Sequence, residues 1–255
     1  MSIRIRLGAL LGPVVDGTDH NRLADQARTY AAEGYHSLWS AQAIGRGFMM
    51  TDPFIALAVA AAATKDVEIG TAIVQLPLYH PVDLAHRVLS LQQICGDRLI
   101  FGVGAGSTEK DFLAVGRNYQ SRFRDFNDCL ANLRDVYREG SPAHSQLSAW
   151  PGISHPPRLF YGTWGKGVER AAREFDGWIA SGNYRTADEL AAAAARFRAA
   201  GGGRSIVSTI LLDKSTDLGR LRERLAAYAD SGFDDAVVMI SPGGPSAGEV
   251  RKLLE

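Results

Sequence analysis

Eight times along the chain a short β-rich apolar run gives way to a stretch of helical period, and no other feature restricts the fold as much. The runs are Ile3–Leu11, Ser37–Ser40, Val67–Val74, Leu99–Val103, Arg158–Tyr161, Trp178–Ser181, Ser205–Leu212 and Asp235–Ile240. Between them apolar residues recur at spacings of three and four, as in Leu84, Val88, Leu91 and Cys95. Thr51-Asp52-Pro53 and His80-Pro81 read as helix openings, with proline at the first turn. A helix in every connection brings the next strand back parallel to the last. Eight such units in 255 residues suit a closed (β/α)8 TIM barrel, one domain over residues 1–255. An open doubly wound sheet is the structural rival. The connection between strands four and five is longer than the rest, a modest insertion. It holds a loop or short helix at Ser107–Arg117 and a helix at Arg122–Tyr137 carrying Phe123, Phe126, Leu130, Leu133 and Tyr137. The loop-like Gly140–Pro157 completes it.

Charge excludes some partners. Lys plus Arg and Asp plus Glu both number 28, so no electrostatic case exists for nucleic acid or an anionic membrane. The two cysteines, Cys95 and Cys129, fall in helices without metal-ligand spacing and read as small buried thiols, which suits a reducing cytosol. The N-terminus lacks a long h-region and a cleavage pattern, so a cytoplasmic protein is expected.

A barrel carries its chemistry in the loops after the strands. Trp39 stands at the end of strand two and Gln42 follows it; Val74 ends strand three, with Gln75 and His80 after it; Gly104, Ala105, Gly106, Ser107, Glu109 and Asp111 follow strand four. Gly162, Thr163, Trp164, Gly165 and Lys166 follow strand five, and Ser181 ends strand six. The fifth loop runs into a helix N-terminus, where free N–H groups and the dipole favour a phosphate, with Thr163 and Lys166 adding a hydroxyl and a charge. The plainer reading is that these glycines only turn the chain. Strand one has no His-x-His pair, no lysine ends a strand, and no Ser/His/Asp order stands out. His80 has a plain reading too, as a helix N-terminal residue beside Pro81. Such a mouth, rich in glycine, aromatics and amides, suits a cofactor that carries the reaction itself.

The run from Gly70 to Pro81, GTAIVQLPLYHP, resembles the strand-three signature of the luciferase-like monooxygenases. Gly102-Val103-Gly104-Ala105-Gly106, followed by Lys110-Asp111-Phe112 and Val115-Gly116, is similar to the strand-four signature of the bacterial luciferase alpha chain, and Trp178-Ile179-Ala180-Ser181 to the family's strand six. The resemblance covers most of the chain. It implies a flavin in the barrel mouth, FMN or the deazaflavin coenzyme F420. It implies a cis peptide at Ala72-Ile73 behind the isoalloxazine ring, with Ala105, Gly106 and Ser107 along the ring or its ribityl chain. Gly162, Thr163 and the next helix would hold the phosphate. The expected partners are a small-molecule substrate, a separate flavin reductase and a second copy of the chain. Two departures bear on mechanism. Luciferase-type members have an acidic residue and a histidine after strand two, where this chain has Gln42 and Ala43. Deazaflavin-dependent sugar-phosphate dehydrogenases have a glutamate at the position of Ser107 and a histidine near Ala43, and both are absent. Candidates for the catalytic polar groups are therefore Gln42, His80, Ser107, Glu109 and Asp111. Three functions stay open: oxygenation of a small organic molecule by reduced flavin, hydride transfer with coenzyme F420, and non-catalytic flavin binding.

Overall fold

The computed structural model describes residues 2–13, 19–139 and 155–255. Its strands are β1 (Arg6–Leu10), β2 (Ser37–Ser40), β3 (Glu68–Thr71), β4 (Val74–Gln75), β5 (Leu99–Gly104), β6 (Arg158–Gly162), β7 (Gly177–Ser181), β8 (Arg204–Leu212) and β9 (Asp235–Ile240). All pair in parallel, and β3 meets β5 while β1 meets β9, so the sheet closes on itself. The expected third strand, Val67–Val74, is divided into β3 and β4, and the Ala72-Ile73 peptide between them is cis. The nine segments thus form eight staves, the (β/α)8 barrel, and the open-sheet rival is set aside.

The helices are α1 (Arg22–Ala32), α2 (Pro53–Ala63), α3 (Pro81–Cys95), α4 (Glu109–Ala114), α5 (Arg122–Glu139), α6 (Gly167–Glu174), α7 (Ala187–Ala199), α8 (Leu218–Asp230) and α9 (Ala247–Lys252). Local chemistry fixes several starts. The Asp52 carboxylate accepts from the Phe54 and Ile55 amides at 2.9 and 3.3 Å, with Pro53 at the first turn of α2. Thr186 and Glu189 form a capping box on α7. The insertion between β5 and β6 supplies α4 and α5; part of the loop expected at Gly140–Pro157 lies outside the described residues. Among the described residues no helix is long and apolar enough to cross a membrane.

Alternation along the strands divides the core in two. Leu10, Trp39, Ile100, Phe160, Ile179, Ile206 and Val237 fill the barrel interior, while Leu7, Phe101, Trp178, Val207 and Val238 pack outward against the helices. Trp39 needs glycines opposite it: a Cβ on Gly70 would come within 2.3 Å of its ring, and one on Gly8 within 2.8 Å of its Nε1. The N-terminal end of the barrel is closed by charge. Arg6, Glu68, Arg158, Arg204 and Asp235 each open a strand, and Glu68 receives Arg6, Arg158 (2.7 Å) and Arg204 (2.7 Å). Arg204 also reaches Asp235 at 2.7 Å.

Candidate active site

At the opposite end, the loops after β2, β4, β5, β6, β7 and β8 enclose a cavity of about 440 Å³, within the usual size range of small-ligand sites. One wall is apolar and built from Ala72, Ile73, Ala105 and Gly106. Glycines make it possible. A Cβ on Gly104 would come within 2.8 Å of Ile73, one on Gly162 within 2.5 Å, and one on Gly106 within 2.3 Å of Gln75 Oε1. Gly106 also has φ +85°, a conformation open to glycine.

A buried polar network holds the loop after β2 against this wall. Asp111 is wholly buried, and its Oδ1 accepts from the Ile44 and Gly45 amides at 3.1 and 3.0 Å. Its Oδ2 accepts from Arg46 Nη2 at 2.7 Å and from Gln75 Nε2 at 2.9 Å. Burial alone would raise the Asp111 pKa, but the Arg46 guanidinium, the Gly45 and Ile44 amides and Gln75 outweigh it and hold the carboxyl below its ordinary range. Gln42 Oε1 accepts from the Gln75 amide at 2.8 Å, and Gln42 Nε2 donates to Tyr79 Oη at 2.7 Å.

The fifth-loop turn differs in detail from the sequence expectation. The helix begins at Gly167 rather than Gly165. The Gly167 and Val168 amides are already engaged, donating to the Trp164 and Gly165 carbonyls at 3.2 and 3.3 Å in tight turns. The Thr163 hydroxyl lies against Gly167, where a Cβ would fall 2.0 Å from its Oγ1. Trp178 Nε1 donates to the Thr163 carbonyl at 3.0 Å and anchors the turn.

The cavity gathers Gln42, Ala72, Ile73, Gln75, Ala105, Gly106, Ser107, Gly162, Thr163, Trp164 and Ser181 from the sequence-derived set. It does not gather the others. Trp39 is fully buried below, donating from Nε1 to Ser37 at 2.7 Å, because its indole fills the room left by Gly8 and Gly70. Val74 faces the outer core, and Gly104 lies under Ile73. His80 caps α3, its Nδ1 accepting from the Val82 amide at 3.3 Å, which is the plainer of its two readings. Glu109 is exposed on the first turn of α4 and Asp111 is a structural anchor, so neither carboxylate faces the cavity. Gly165 and Lys166 turn the chain beside the cavity without lining it.

Several lining residues escaped the sequence reading. Arg122 is sandwiched between Tyr119 and Phe123, 3.9 and 4.4 Å from the ring centroids, and all three face the mouth. Phe123, expected on a buried helix face, is 57% exposed there. Arg185 lies 4.7 Å over the Trp164 ring. Neither Arg122 nor Arg185 has an ion-pair partner among the described residues, whereas Arg46 is paired with Asp111. Among the described lining residues there is no His, Asp, Glu, Lys or Cys, and no cluster of metal-ligating side chains occurs among the described residues. The site can bind, orient and shelter a ligand, but it offers only hydroxyls, amides and guanidinium groups for proton chemistry.

Comparison with known proteins gives this arrangement a context. Residues 5–212 match the luciferase-like monooxygenase family. The 4-hydroxyprotoasukamycin monooxygenase of Streptomyces nodosus subsp. asukaensis is 34% identical over 119 residues, 44% of this chain and 32% of that protein. The oxygenase component of the flavin-dependent trigonelline monooxygenase of Acinetobacter baylyi is 24% identical over 128 residues, 49% of this chain and 36% of that protein. The chain thus spans only about a third of the length of these two curated relatives. Among solved structures, the coenzyme F420-dependent tetrahydromethanopterin reductase of Methanopyrus kandleri superposes with a TM-score of 0.70 at 14% identity, covering 100% of this chain and 97% of that one. The matched span covers most of the chain, the described sheet closes into a barrel, and the chain belongs to the luciferase-like monooxygenase family.

Proposed function

We propose that the chain is a flavin-dependent monooxygenase that binds FMN at the barrel mouth and oxygenates a small organic substrate. One observation carries the reading. An apolar wall and the Gly162-Thr163-Trp164 turn share one cavity whose described lining has no histidine, carboxylate, lysine or thiol. A mouth so poor in acid–base groups needs a group that brings its own chemistry, and reduced flavin supplies the electrons that activate O₂. The residues present fit such a group. Ala72, Ile73, Ala105 and Gly106 give a planar ring an apolar support. Thr163, beside the turn at Gly162, and Arg122, which forms no salt bridge among the described residues, offer donors for a phosphate. Gln42 and Ser107 would remain as hydrogen-bonding groups near the ring. A separate flavin reductase would deliver the reduced cofactor, a reading supported by the relative described as an oxygenase component. Two buried free thiols suit a reducing compartment, the cytoplasm.

Coenzyme F420 is the second reading, supported by the likeness to the tetrahydromethanopterin reductase. Absorbance titration of the protein with FMN, coenzyme F420 and riboflavin separates them. We expect FMN to bind at micromolar concentration or tighter, and riboflavin to bind far more weakly. Thr163→Ala should weaken FMN about ten- to a hundredfold, the loss of one charge-assisted hydrogen bond, while leaving riboflavin unchanged. Equal affinity for FMN and riboflavin would remove the phosphate site, and binding of F420 alone would replace the monooxygenase reading with hydride transfer.

A further inference from the structure

Along β8 the inside-outside alternation breaks. Ile206 packs in the barrel interior and Val207 packs outside. A regular strand would bring Ser208 inside, Thr209 outside and Ile210 inside again. Ile210 and Leu212 are instead buried in the outer core, so the parity has flipped. The flip falls at a register shift against β9 between Val207 and Ile210, where Thr209 has φ +60°. That left-handed conformation is rare for a β-branched residue, and bulges of this kind re-aim side chains next to functional sites. Here the outcome is concrete. Two consecutive residues, Ser208 and Thr209, both line the cavity, with their hydroxyl oxygens 3.4 Å apart. Ser208 also stands beside Ser181 in the ladder.

The same cavity is lined by Arg185, which forms no salt bridge among the described residues, although its charge is felt by the Glu189 carboxylate, and which rests on Trp164. A guanidinium only donates hydrogen bonds, and hydroxyls donate when an acceptor faces them. Together they match a negatively charged oxygen group. The adjoining rings, Trp164, Tyr184 and Phe123, are partly exposed at the mouth and match an aromatic body. The apolar wall at Ala72, Ile73, Ala105 and Gly106, where the flavin ring is placed above, has no such donor side chains.

We propose that Ser208, Thr209 and Arg185 form an anion subsite for the substrate, which takes the carboxylate of an aromatic acid, with the bulge at Thr209 setting the specificity. Naming the ligand as substrate rests on the flavin reading; the subsite itself does not. A cofactor phosphate is the other oxyanion that this donor set would accept, and the experiment separates the two. Benzoate and its neutral counterpart benzyl alcohol are titrated calorimetrically into the protein, both free of cofactor and loaded with FMN. FMN and riboflavin affinities are measured in parallel. The variants are Thr209→Gly, which keeps the left-handed backbone accessible and deletes the hydroxyl, together with Ser208→Ala and Arg185→Met. Benzoate should bind at least about tenfold more tightly than benzyl alcohol, and each variant should weaken benzoate by about tenfold while leaving benzyl alcohol and FMN unchanged. The thermal midpoint of Thr209→Gly should not fall, which shows that the lost affinity is not lost folding. Equal binding of benzoate and benzyl alcohol, or no benzoate binding, would overturn the subsite. So would variants that weaken FMN but not riboflavin, because the anion held would then be the cofactor's phosphate. A protein that binds no flavin yet shows the expected benzoate pattern would uphold the subsite and remove only the flavin reading.

Discussion

Asp111 illustrates how a residue type can point to the wrong role. In sequence it is one of two carboxylates at the mouth of a barrel, an apparent acid or base. In the structure its two oxygens receive two backbone amides, a guanidinium and an amide side chain, and the residue is buried and does not line the cavity. The network fixes Arg46 and Gln75, both of which line the cavity. Asp111→Asn replaces an acceptor-only carboxylate by an amide that must turn an N–H toward one of these donors. It should destabilise the protein by about 1.5–3 kcal/mol, the worth of hydrogen bonds to a charged group. For a chain of this size that lowers the thermal midpoint by roughly 3–12 °C in a calorimetric scan. An unchanged midpoint would show that the loop after β2 does not depend on this anchor. His80 makes the same point in reverse, since its helix-capping role was already visible in the His80-Pro81 pair. Arg122 and Arg185 were not visible, because a cation is recognised as unpaired only when its three-dimensional neighbours are known.

At the scale of elements, the strands and helices were legible because their signals are local. Asp52 caps with Pro53 beside it, Thr186 and Glu189 form a box, and apolar residues recur at three and four. What was not legible is set by neighbouring strands. The parity flip at Thr209 depends on ladder register, which no short window of sequence carries. The fifth loop shows a related limit. Gly162 reads as a residue that lets a phosphate approach, yet a Cβ there meets Ile73 Cγ2 at 2.5 Å, inside the barrel. Gly162→Val should therefore overpack the wall between β4 and β6 and cost about 1–3 kcal/mol of stability, in addition to any effect on a ligand. Urea unfolding measures it; a variant with wild-type stability and weaker FMN binding would restore the phosphate account for this glycine.

The molecule as a whole is asymmetric along the barrel axis. One end holds loops, rings and guanidinium groups, and the other the ionic cluster around Glu68. Burial alone would raise the Glu68 pKa, but Arg204, Arg158 and Arg6 reverse this and bring it from 4.5 down to about 2. A depressed carboxylate contributes stability above its unfolded pKa and loses it as the pH falls through the folded value. The cluster should therefore support the fold fully above about pH 4.5 and fail progressively towards pH 2. Glu68→Gln should lower stability at neutral pH and flatten the acid limb of a pH-unfolding profile; an acid limb identical to wild type would place the sensitive groups elsewhere.

The filled interior has a further consequence for traffic. Trp39, Phe160 and their neighbours plug the barrel below the cavity, and the ion pairs at the far end close it again. Whatever enters from the strand ends meets a dead end. Two ligands in such a vessel are stacked in order of depth, so the deeper must arrive first and leave last. If the proposed cofactor lies deeper in that vessel than the substrate, the substrate must leave before the cofactor can.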